Sequence, residues 1–77
     1  MGKIVGRFLE ERLSYQARQG RKIPIEEITS AIGISRQTLH DIESGKSIPR
    51  STTLARFCEL YGVTPGKLLV YVEGEGV

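Results

Sequence analysis

Four side chains between residues 36 and 41 carry the groups needed to recognise the hydrogen-bonding edge of a planar base. They are Arg36, Gln37, His40 and Asp41. Arg36 has a forked set of donors that matches guanine O6 and N7, and the Gln37 carboxamide matches adenine N6 and N7. His40 can reach a base edge one turn later. Asp41 can accept from a cytosine N4, although it repels phosphate. Thr38, Lys46, Ser47 and Arg50 are candidates for phosphate contacts, which set register and affinity but carry no sequence information. Catalysis is not expected. No paired-carboxylate cleft, nucleophile–base arrangement or phosphate loop can be assembled, and a single histidine is a poor start for acid–base work. One His and one Cys fall short of the four ligands of a structural zinc site, so no metal and no cofactor are expected.

These side chains need helices to position them. Residues 3 to 19 read as a first helix, with Val5, Leu9, Leu13 and Ala17 recurring every four residues, Ile4 and Phe8 widening the stripe, and Gly20 as its C-cap. A second helix starts near Pro24, which suits the first helical position. Acidic Glu26 and Glu27 lie in its first turn, Ile25, Ile28 and Ile32 form its apolar face, and Gly33 ends it. Ser35 caps a third helix that runs to about Ser44, with Leu39 and Ile42 inward and Gly45 as its stop. Residues 45 to 50 are loop. Ser51 or a neighbour caps a fourth helix through Tyr61, with Leu54, Phe57, Cys58 and Tyr61 on its inner face. Thr64 and Pro65 open a fifth helix carrying Leu68 and Leu69. The tail over residues 70 to 77 alternates briefly at Val70, Tyr71 and Val72. It is expected either to fray or to add a strand across a dimer. The fold class is therefore all-α, five short helices in one domain over residues 1 to 77 with its core in 3 to 69.

The second and third helices obey a stricter rule. With Ile25 as the first position, a helix-turn-helix requires apolar residues at the fourth, eighth, tenth, fifteenth and eighteenth positions and glycine at the ninth. Ile28, Ile32, Ile34, Leu39, Ile42 and Gly33 meet all of these. Residues 25 to 69 resemble the phage repressor/Cro superfamily, the xenobiotic-response-element type, in its small stand-alone form. The resemblance rests on Gly33-Ile34-Ser35, Thr38-Leu39, Ile42-Glu43-Ser44-Gly45-Lys46, Pro49, Thr53-Leu54-Ala55, Gly62-Val63-Thr64 and Leu68-Leu69. Two positions depart from it: Ile25 stands where the family often has a phosphate-contacting glutamine, and Thr29 where it usually has alanine.

The resemblance implies a lambda-repressor-like domain that binds double-stranded DNA. Arg36 and Gln37 lie where relatives place base-reading side chains, while Lys46 and Arg50 flank a loop that lies along the DNA backbone. It also implies a structural ion pair between Glu43 and an arginine of the first helix, either Arg18 or Arg12. The function implied is a transcriptional repressor acting as a homodimer on a pseudo-palindromic site. A protein-interaction or antitoxin-type module on the same fold is the alternative.

The bulk properties agree with a soluble globular chain. Of its 77 residues 39% are hydrophobic and 26% charged, and the net charge of +2 leaves room for either partner class. Distribution says more, because Arg18, Arg21, Lys22, Arg36, Lys46 and Arg50 cluster in the middle while Glu59, Glu73 and Glu75 lie later. A lone cysteine forbids an internal disulfide and points to a cytoplasmic protein, and Cys58 lies on an apolar face, as a core residue rather than a redox sensor would. Neither a membrane span nor a signal-peptide core is expected, and no small-molecule effector is evident.

Overall fold

A computed structural model describes residues 2–73 of the chain. Five helices are present: α1 (Phe8–Gln19), α2 (Ile25–Ile32), α3 (Arg36–Ser44), α4 (Ser51–Tyr61) and α5 (Pro65–Leu68). Two short strands flank them, β1 (Lys3–Gly6) and β2 (Leu69–Val72), and pair antiparallel with Lys3 opposite Val72 and Gly6 opposite Leu69. The five expected helices are found, with a small sheet added that closes the two ends of the chain on each other.

That sheet corrects the start of the first helix. Residues 3 to 6 are strand, because the alternating segment Val70–Val72 supplies a ladder partner within the same chain. The remaining four tail residues, 74 to 77, lie outside the described residues. The expected apolar stripe on α1 is also displaced by one residue. Leu9 and Leu13 are 39% and 49% exposed and Ala17 is exposed, whereas Phe8 is buried and Arg12, Tyr15 and Gln16 turn inward. Polar side chains with specific partners outrank aliphatic ones here. Arg12 reaches Glu43, and Gln16 Oε1 accepts the Ile23 N–H at 2.8 Å, tying the link before α2 onto α1. Pro24 falls one place earlier than expected, as the N-cap of α2, and its carbonyl accepts from the Glu27 N–H at 3.1 Å.

The core is one cluster: Phe8, Ile23, Ile28, Ile32, Leu39, Ile42, Phe57, Tyr61 and Leu68. Phe57, fully buried, is its centre. Its ring meets Phe8 edge-on at 4.9 Å and Tyr61 at 5.8 Å. Cys58, Leu54 and Ile34 pack around this cluster, and burial pushes the Cys58 thiol above its ordinary value, which suits packing rather than nucleophilic work. Helices this short hold their shape only through such shared packing. Phe57→Ala is expected to cost about 3–5 kcal/mol, read as a lower midpoint in urea with the slope unchanged.

Candidate nucleic-acid interface

The junction of α2 and α3 is built at Gly33. This residue has φ 86°, its N–H donates to the Thr29 carbonyl at 2.7 Å, and the Ile34 N–H donates to the same oxygen at 3.1 Å. From α4, Arg56 Nη1 donates to the Ile32 carbonyl at 3.0 Å, so the last turn of α2 is satisfied by a side chain of another helix. A Cβ at Gly33 would lie 2.8 Å from that same Nη1. The backbone angle requires glycine here, and a side chain would also displace the end of the Arg56 guanidinium. Thr29, at the position usually held by alanine, is 7% exposed and its hydroxyl donates to the Glu26 carbonyl at 3.2 Å. The hydroxyl is absorbed by its own helix, and the residue stays buried.

α3 starts at a true cap. Ser35 Oγ accepts from the Thr38 N–H at 3.1 Å, and the same hydroxyl pairs with Thr38 Oγ1 at 2.9 Å. Leu39 and Ile42 are buried, and Arg36, Gln37 and His40 are exposed on the opposite side, with Asp41 half-buried beside them. Arg36 Nη1 rests 3.2 Å from Glu26 Oε2, with both side chains about two-thirds exposed, a pair too solvated to hold the guanidinium firmly. Gln37 Nε2 donates to Asp41 Oδ1 at 2.9 Å, so the carboxylate orients the carboxamide one turn earlier. The Asp41 carbonyl accepts the N–H groups of Lys46 at 2.8 Å and Ser47 at 3.3 Å, which turns the exit loop back against α3.

Three of the four candidate phosphate ligands come together. Thr38, Ser47 and Arg50 line one shallow cleft of about 260 Å³ between α3 and the start of α4, together with Thr52 and Thr53. Lys46 is exposed beside the loop but outside that cleft. Neither Thr52 nor Thr53 was read from the sequence as a phosphate candidate, although the run Arg50-Ser51-Thr52-Thr53 is the signal that could have found them. A second cleft of similar size joins Arg36 and His40 to Ile25, Arg12 and Glu43.

The far side of α3 is braced by an ion pair. Arg12 Nε lies 2.6 Å from Glu43 Oε2 and Arg12 Nη2 3.1 Å from Glu43 Oε1, a two-bond arrangement with both side chains mostly shielded. The partner of Glu43 is thus Arg12. Arg18 instead donates to the Tyr61 carbonyl at 2.6 Å, where it closes the end of α4. The hydrogen bond to Glu43 raises the Arg12 guanidinium above its ordinary value despite burial.

The sequence profile of the helix-turn-helix family matches residues 15–68. The chain belongs to this family, in its Cro/C1-type branch. It is a DNA-binding helix-turn-helix regulator. The match spans α2, the Gly33 turn and α3, and ends just before β2, while β1 lies before it. No match was found among curated proteins or among solved structures. Among the described residues no helix is long and apolar enough to cross a membrane.

Beneath the helix-turn-helix, the Tyr61 hydroxyl is buried without a hydrogen-bond partner among the described residues. Burial first, then the Glu43 carboxylate, push its phenol well above the usual tyrosine value, with Arg12 pulling the other way. The folded protein keeps the proton longer than the unfolded chain. The stability this gives is complete below about pH 10, the unfolded value, and is lost as pH rises above it. Tyr61→Phe is expected to leave stability at neutral pH unchanged or raised by about 1 kcal/mol and to flatten the alkaline decline. Urea titrations of both proteins at neutral and alkaline pH measure the difference.

Proposed function

We propose that this regulator is a sequence-specific repressor that binds double-stranded DNA as a homodimer on a pseudo-palindromic site. The observation that carries the reading is the polar face of α3. Arg36, Gln37 and His40 are exposed at the start of a helix whose other face is locked into the core. Such a helix end enters a major groove. Arg36 leaves its weak surface pair with Glu26 to take guanine O6 and N7. Gln37, held by Asp41, faces adenine, and His40 follows one turn on, with Asp41 the acceptor for a cytosine N4.

Thr38, Ser47 and Arg50 grip phosphate from the cleft they share, and Lys46 does so from the adjoining loop. One domain of this size covers little DNA. Useful specificity therefore comes from two copies whose recognition helices are about 34 Å apart, one turn of the duplex. A dimer seated there represses by occupying the site. This assignment needs no cofactor and no small-molecule effector.

Selection of bound sequences from a random duplex pool tests the reading, with the expected result a site showing two-fold symmetry. An unenriched pool would remove sequence specificity. On the selected site, Arg36→Ala is expected to cost about 1–3 kcal/mol and to relax preference at one base per half-site. An equal loss on every sequence would take Arg36 off the base-reading face. Lys46→Ala is expected to weaken all duplexes alike and to lower the slope of log affinity against log salt by about one, measured by fluorescence anisotropy over a salt series.

A further inference from the structure

Among the described residues, Arg12, Arg18, Arg21, Arg36 and Arg56 have side-chain partners. The other basic side chains have none, and two of them, Lys46 and Arg50, already belong to the proposed phosphate face. A third shares a hollow with the loop that carries this face. Lys3 lines a space of about 330 Å³ between β1 and the exit of α3, whose opposite wall includes Gly45, Ser47 and Ile48. Ser47 and Ile48 also line the cleft of Thr38 and Arg50. The two hollows therefore lie on either side of one loop. Lys22 lines a separate cleft at the start of α2, and Arg7 and Lys67 line neither hollow.

The strand puts Lys3 there. Side chains alternate along β1, so Lys3 shares a face with the half-buried Val5, opposite the half-buried Val70 and Val72. Ile4 and Tyr71, 51% and 60% exposed, take the solvent face. Lys3 is thus on the face turned to the helices, and it remains exposed at the rim of the hollow. The only other charged group lining that space is Glu43, whose carboxylate accepts both bonds from Arg12. The Ser44 hydroxyl is committed as well, donating to the Asp41 carbonyl. Glu73, one place beyond the Lys3–Val72 pair, makes no ion pair with Lys3. Lys3 is left as the unopposed charge of the hollow.

We propose that Lys3 binds a backbone phosphate of duplex DNA, so that the phosphate-binding face continues from Arg50 across the exit loop onto β1. The proposal rests on the DNA reading above and extends its footprint beyond the helix-turn-helix. Each strand of a duplex carries one negative charge about every 3.4 Å of axis. A backbone held in the cleft of Thr38, Ser47 and Arg50 carries further charges past either end of it. Where it passes Ser47 and Ile48, it meets the hollow that Lys3 borders. A point charge on a flexible stem suits this contact, which needs charge and reach rather than a rigid fork of donors. It adds affinity and register but reads no base.

Fluorescence anisotropy of the full chain on its selected duplex, over a salt series, tests the contact. Lys3→Gln is expected to lower the slope of log affinity against log salt by about 0.9, so that a fourfold rise in salt costs it roughly threefold less affinity than it costs the native chain. Lys3→Arg keeps the native slope. So does Lys67→Gln, which removes the same charge outside both hollows. Helical circular dichroism and the selected sequence stay native in all three variants. Single methylphosphonate linkages, each removing one phosphate charge, then locate the contact: one position weakens binding by the native chain and leaves Lys3→Gln indifferent. A native slope in Lys3→Gln, a slope lowered equally by Lys67→Gln, or the absence of such a position overturns the assignment of Lys3 and leaves the DNA reading standing. A native chain that binds no duplex overturns the DNA reading, and the Lys3 contact with it.

Discussion

Ile32 ends α2 with its carbonyl against the guanidinium of Arg56, a residue of α4 that lies 24 residues further along the chain. That contact, with the left-handed Gly33 and the two N–H bonds to the Thr29 carbonyl, sets where α3 begins relative to α2. The rest of the interface depends on this. Ser35 can cap α3 only if the chain leaves the turn extended, and Arg36 and Gln37 reach solvent together only because Leu39 and Ile42 are drawn to the opposite side. A helix that meets bases through its first residues tolerates little freedom in its entry angle, since each bidentate contact needs two atoms placed at once.

The core that holds this junction is small, and polar contacts share in its organisation. Arg12 and Glu43 connect α1 to the last turn of α3 beside the buried Tyr61. An ion pair in that position supplies direction more than net energy, because desolvation of both charges offsets much of their attraction. It pins the end of α3 farthest from the cap. Arg18 and Arg56 do related work, each satisfying the last carbonyls of a helix in place of water. Three arginines are thus committed to architecture, while Lys46 and Arg50 remain exposed and outside any ion pair among the described residues. Summed charge says little about such a molecule; the division between structural and free cations says more.

Much of this was legible beforehand. The spacing of Ile28, Ile32, Ile34, Leu39 and Ile42 around Gly33 announced two helices and a turn, because each position answers to a steric requirement that few residue types meet. Glycines 20, 33 and 45 marked three helix ends for the same reason. The first helix was harder. Counting aliphatic residues favoured the stripe through Leu9 and Leu13, but Phe8 is buried with its ring against Phe57, and Arg12 and Gln16 have partners that periodicity cannot register.

The sequence by itself determined the local events: where helices start and stop, which face of α3 is apolar, and which side chains are presented at its beginning. These follow from backbone sterics and from the period of the helix, both properties of neighbouring residues. Only the tertiary structure decided the distant pairings. It chose Arg12 over Arg18 for Glu43, gathered Thr38, Ser47 and Arg50 with Thr52 and Thr53 into one cleft, and joined Lys3–Gly6 to Leu69–Val72 as a sheet. Each of those outcomes depends on how far apart two segments lie once the core has closed, and no local pattern encodes that distance.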